Sequence, residues 1–109
     1  MITINIKRNK EKQIVSFSLN GHAGYDVNGK DIVCAAVSAV TNMVLIGLNE
    51  ILKIKLKFEK ADGGYIKVEL PEDINPEKMV NAQILAESMV SEFLDIESNY
   101  KGYILVKES

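Results

Sequence analysis

Residues 32–49, IVCAAVSAVTNMVLIGLN, run for eighteen positions without a charged side chain. A stretch of this length and composition is either a membrane span or the buried helix of a folded domain, and the choice decides the fold. Ser38, Thr41, Asn42 and Asn49 break its apolar character, and the flanking segments alternate as amphipathic strands whose apolar faces need a cover. The reading is a helix laid on a sheet, with no membrane as partner. Asp31, just before it, is placed to cap the helix, its carboxylate accepting the orphan N–H groups of Val33 or Cys34 and opposing the positive end of the helix dipole. The helix is expected to continue to about Leu52. Val33, Val37, Val40, Val44 and Leu48 form one apolar stripe, and Ile32, Ala36, Ala39, Met43 and Ile46 form another. One sheet face would not cover both, so the surplus points to a subunit interface.

Toward the N-terminus, Ile2, Ile4 and Ile6 alternate with polar residues, Asn9-Lys10-Glu11-Lys12 turns the chain, and Val15, Phe17 and Leu19 alternate again. This predicts a hairpin. The opening residues alternate rather than forming a basic start and an apolar run, so no signal peptide is read there. Toward the C-terminus, Ile54, Leu56 and Phe58 alternate with lysines, Asp62-Gly63-Gly64 supplies turn chemistry, and Ile66, Val68 and Leu70 alternate before Pro71. A second helix is expected to open at Asn75-Pro76 and to end near Ile96, carrying Met79, Ala82, Ala86, Met89, Val90 and Phe93 on one stripe. A last strand is expected from about Tyr100 to Val106.

The order β-β-α-β-β-α-β predicts an α+β fold over residues 1–109, a single domain with a largely antiparallel sheet covered by two helices. A chain of 109 residues with 47% apolar residues can bury a continuous core without staples. One cysteine excludes an internal disulfide and fits a reducing, cytoplasmic setting. Thirteen Lys plus Arg against fifteen Asp plus Glu give no global attraction for phosphate backbones, so nucleic acid is not expected as a direct partner.

The chemistry gathers between the hairpin and the first helix. The only histidine, His22, and the only cysteine, Cys34, flank a glycine-rich loop, residues 21–30, GHAGYDVNGK. A cysteine in the first turn of a helix has its thiolate stabilised by the dipole and by unpaired N–H groups, and a histidine across the loop can exchange a proton with it. The backbone N–H groups of Cys34 and Ala35 are candidate donors to an oxyanion. Asp31 is the candidate for orienting His22, although capping alone is sufficient reason for a carboxylate there. Gly21, Gly24 and Gly29 read either as turn formers or as hinges of a mobile gate over a bound peptide. Ser38 is a tolerated small residue whose hydroxyl could also reach the thiol face.

Other readings of the same residues are a buried structural cysteine, a thiol redox sensor that lacks a resolving partner, and a metal site. His22, Cys34, Asp26 and Asp31 have no zinc-finger spacing and no second thiolate, so no metal is expected.

Gly21-His22-Ala23-Gly24-Tyr25, then Gly29, then Asp31-Ile32-Val33-Cys34-Ala35-Ala36-Val37-Ser38 resembles the signature of the ribosomal-processing cysteine protease family, called Prp or YsxB-like. The general pattern is similar along the whole chain. The resemblance implies an endopeptidase of Firmicutes and related bacteria that removes a short N-terminal extension from the large-subunit ribosomal protein numbered twenty-seven. It further implies Cys34 as nucleophile, His22 as proton-transfer partner, a homodimer, and an apolar subsite for an aromatic residue before the cut. Such acyl transfer requires no cofactor. The alternative of a different class is a non-enzymatic ribosome-associated binding or assembly factor in which Cys34 is structural.

Overall fold

The structure, a computed structural model, describes residues 1–26 and 31–109. Strands β1 (Ile2–Arg8) and β2 (Ile14–Asn20) precede helix α1 (Ile32–Ile46), which continues as a π-helical turn, Gly47–Ile51. Strands β3 (Lys57–Ala61) and β4 (Tyr65–Glu69), helix α2 (Pro76–Asn99) and strand β5 (Ile104–Glu108) follow. The five strands form one sheet in the order β3-β4-β2-β1-β5, antiparallel except for the parallel β1–β5 pair. This is the expected α+β fold.

The core explains the layering. Ile2, Ile4 and Ile6 of β1, Phe17 and Leu19 of β2 and Val68 of β4 are buried with Val33, Val37, Val44 and Leu48 of the first helical segment and Ala82, Ala86, Met89, Val90 and Phe93 of α2. Burying alternate strand residues and one stripe of each helix removes the most apolar surface per ordered residue. Side chains fasten α2 to β2 and to the edge strand β5. Gln83 accepts from Ile14 N–H at 2.7 Å and donates to Ile14 C=O at 2.8 Å, while Glu97 accepts from Val106 N–H at 2.7 Å. Arg8 pairs with Glu87 of α2 at 2.6 Å and Glu108 of β5 at 2.9 Å.

Several boundaries depart from expectation for local reasons. The first helical segment ends where predicted, but its last turn widens: Leu52 N–H bonds to Gly47 C=O at 2.9 Å. Gly47 faces α2 there, since a Cβ on it would lie 2.7 Å from Leu85 Cδ1. Thr41, rather than Val40, continues the buried stripe, its hydroxyl satisfied by Val37 C=O at 2.7 Å. Strand β3 begins at Lys57, not Ile54, because Lys53 adopts φ 56° and Ile54 N–H bonds back to Leu48 C=O at 2.9 Å. Ile54 plugs the core as part of the helix exit, and β3 itself is an exposed edge strand. Helix α2 reaches Asn99 and the last strand starts at Ile104, since Gly102 at φ 90° and the Tyr103 N–H to Tyr100 C=O bond fold residues 100–103 into a turn.

The second apolar stripe of the first helix lies outside the core. Ile32, Met43 and Ile46 are exposed, as is Ile51 beyond them. Among the described residues, Ile32–Ile51 is the one helical stretch long and apolar enough to cross a membrane, and here its inner stripe packs on the sheet.

Candidate active site

Asp31 organises the site. Its backbone is extended at φ −77°, ψ 102°, and its Oδ1 accepts the N–H groups of Val33 and Cys34, each at 3.0 Å, which is the capping expected. Its Oδ2 accepts Tyr25 N–H at 3.0 Å, and Asp26 N–H points to the same carboxylate. The Cys34 N–H foremost, against partial desolvation, and then the Tyr25 N–H hold this carboxyl below the usual carboxylate range. One side chain thus ties the helix start to the beginning of the loop. Tyr25 is fastened a second time, its ring edge-on to Tyr100 at 5.5 Å and to Tyr103 at 5.0 Å between centroids.

Cys34 stands in the first turn of α1, half-buried and free, and Ala23 N–H donates to its Sγ at 3.2 Å. The sulfur thus sits at the helix N-terminus with a backbone donor on it, and the Cys34 side chain also bonds to the Asp31 carboxylate. His22 immediately precedes Ala23 and is exposed. Both side chains line one open cleft of about 490 Å³ together with Gly24, Asp26, Asp31, Ala35 and Ser38. A thiol and an imidazole therefore face the same space, which is large enough for an extended peptide segment.

Two expectations about supporting groups are not met. Asp31 caps the helix but makes no hydrogen bond to His22, and His22 has no hydrogen-bond partner among the described residues. The proposed oxyanion donors are also engaged, Cys34 N–H with Asp31 Oδ1 at 3.0 Å and Ala35 N–H with Asp31 C=O at 3.1 Å. Of the loop glycines, Gly21 has φ 95° and is wedged, since a Cβ on it would lie 2.6 Å from Met1 C=O. Gly24 has φ 70° with open space around it, while Gly29 lies outside the described residues, as does the stretch 27–30 of the proposed gate. Among the described residues no three His, Cys, Asp or Glu side chains gather as a metal site.

Sequence reasoning quoted Ala23 and Tyr25 within the signature but gave neither a role of its own. Ala23 acts through its backbone, which no residue type announces. Tyr25 carried an available signal, an aromatic residue inside a glycine-rich loop.

A family model described as cysteine protease Prp matches residues 1–105. The chain belongs to the Prp cysteine protease family. The ribosomal processing cysteine protease Prp of Bacillus subtilis is 38% identical over 112 residues, covering 97% of this chain and 96% of the relative. That of Staphylococcus aureus strain Mu50 is 34% identical over 111 residues, covering 95% of each chain. Among solved structures, the essential ribosomal processing protease Prp from S. aureus, in complex with a covalently linked product peptide, aligns with a TM-score of 0.89 at 27% identity and covers 100% of both chains. SMU.848 from Streptococcus mutans aligns with a TM-score of 0.80 at 30% identity, over 99% of this chain and 93% of that one. The chain is accordingly a cysteine protease of ribosomal processing, and the reading as a non-enzymatic assembly factor gives way to an enzyme.

Proposed function

We propose that the protein cleaves a short N-terminal extension from the large-subunit ribosomal protein numbered twenty-seven, with Cys34 as nucleophile and His22 as the proton-transfer group. The observation that carries this reading is the single cleft holding the only cysteine, at a helix N-terminus with a backbone N–H on its sulfur, and the only histidine. The Cys34 thiolate attacks the scissile carbonyl, the C–N bond breaks, and the His22 imidazolium gives its proton to the leaving amine. Water then loses a proton to His22 and attacks the thioester, the C–S bond breaks, and thiolate and acid product are regenerated. The covalently linked product peptide on the S. aureus relative supports a covalent route of this kind.

The exposed Ile32, Met43 and Ile46 support a homodimer formed through the outer face of α1, since a second copy would remove this apolar surface from water. The solitary cysteine supports a cytoplasmic setting. The direct test is mass spectrometry of a peptide spanning the extension and the start of the mature ribosomal protein, incubated with wild type, Cys34→Ala or His22→Ala. A single cut made by wild type and abolished in both variants is expected; undiminished cleavage by either variant would remove that residue from the mechanism.

A further inference from the structure

We propose that Gly64, in the β3–β4 turn, is a positioning residue whose lack of a side chain leaves the His22 imidazole its working orientation. This rests on the Cys34 and His22 reading and bears on a histidine that has no hydrogen-bond partner among the described residues.

Strand register brings the two together. β2 pairs with β4 so that Leu19 lies opposite Ile66, and the same register carried two pairs further sets Gly21 opposite Gly64. A Cβ built on Gly64 would stand 2.8 Å from Gly21 C=O, 3.2 Å from His22 Cε1 and 3.3 Å from His22 Nε2. The ring edge that bears one of the two nitrogens able to exchange protons therefore borders the space that a side chain at position 64 would fill. The ring keeps its present place because position 64 carries no side chain, and any side chain there would push that edge away. Confinement of a proton-transfer group in its reactive orientation raises turnover more than it alters substrate binding. A methyl group at this position has to displace the imidazole, the Gly21 carbonyl, or both, and Gly21 directly precedes His22.

Gly63 supplies a matched comparison within the same turn. Its φ of 84° is close to the 80° of Gly64, yet a Cβ on Gly63 would meet nothing within 4 Å. Alanine at either position suffers the same backbone conflict, and only alanine at 64 touches the histidine.

The experiment combines steady-state cleavage of the ribosomal-protein peptide with NMR of the full-length protein, in which the sole histidine gives one imidazole Cε1–H signal. Gly64→Ala is expected to lower kcat at least about tenfold, to leave KM within about twofold, and to move the Cε1–H resonance; a tenfold loss is about 1.4 kcal/mol of barrier. Gly63→Ala is expected to keep kcat and the resonance near wild type. Equal losses in the two variants, or an unmoved resonance in Gly64→Ala, would overturn the proposal. Should Gly64→Ala fail to fold, the wild-type protein decides: an NOE between His22 Cε1–H and a Gly64 Hα is expected, and its absence overturns the contact. Cleavage that survives in His22→Ala would overturn both the mechanism and the positioning role. An inactive His22→Ala beside a fully active Gly64→Ala would overturn the positioning role alone.

Discussion

Replacing Gly21 with alanine separates a packed wedge from a hinge. At φ 95° an alanine is in the left-handed region, a cost of about 1 kcal/mol. Its methyl group would also sit 2.6 Å from Met1 C=O, and because the struck atom is backbone of the residue that leads into β1, relief requires the backbone there to move. Forced overpacking of this kind costs roughly 1–3 kcal/mol, so the expected destabilisation is roughly 2–4 kcal/mol. A urea slope of about 2 kcal/mol/M, in the middle of the small-domain range, turns this into a midpoint drop of about 1–2 M. Gly24→Ala provides the reference, since φ 70° imposes the same backbone conflict with nothing within 4 Å of the new methyl. The assay is urea unfolding of wild type and both variants, followed by far-UV circular dichroism, beside peptide cleavage. Equal midpoints for Gly21→Ala and Gly24→Ala would refute the wedge. Lost turnover in Gly21→Ala with a wild-type midpoint would instead restore the reading of Gly21 as a hinge.

Asp31→Asn should lower the urea midpoint at pH 7, because one carboxylate receives the N–H groups of Val33, Cys34 and Tyr25. Its folded-state value is depressed, so the stabilisation is complete above the ordinary carboxylate range near about pH 4 and fades as pH falls through the lower folded value. The gap between wild type and variant should therefore close on acidification, and a gap that stays constant to about pH 2.5 would contradict the assignment. Met43→Glu and Ile46→Glu place charge on the exposed outer face of α1, and if the proposed homodimer forms there, wild type should sediment at equilibrium as a dimer and both variants as monomers; a monomeric wild type would refute the dimer, and an unchanged dimer mass in both variants would move the interface elsewhere.

The order of elements was legible because each carries its own period: Ile2, Ile4 and Ile6 on one face of β1, and the α2 stripe from Ala82 to Phe93. Boundaries were not, because they depend on distant partners. Ile54 continues the alternation of the lysine-rich strand by sequence, yet its N–H belongs to Leu48 at the helix exit. In the site, His22 and Cys34 stood out as the only residues of their kind, and the Asp31 cap was readable from position alone. That the same carboxylate reaches back to Tyr25 depends on how the loop folds over the helix start. The approach of Gly64 to His22 depends on β2–β4 register, which no local pattern encodes.

The parallel pairing of β1 with β5 also has a kinetic consequence. Ile2 faces Ile104, and the Ser109 N–H bonds to Ile6 C=O at 2.8 Å, so this pair forms only after nearly the whole chain between them is in place. Closing a loop of about 100 residues costs on the order of 4 kcal/mol of chain entropy before any contact repays it. Until then β1 is an open edge, a template on which another nascent chain can dock. A segment docked on β1 would displace β5 from its place in the sheet. The rate at which β5 arrives is therefore expected to set how much newly made protein escapes aggregation.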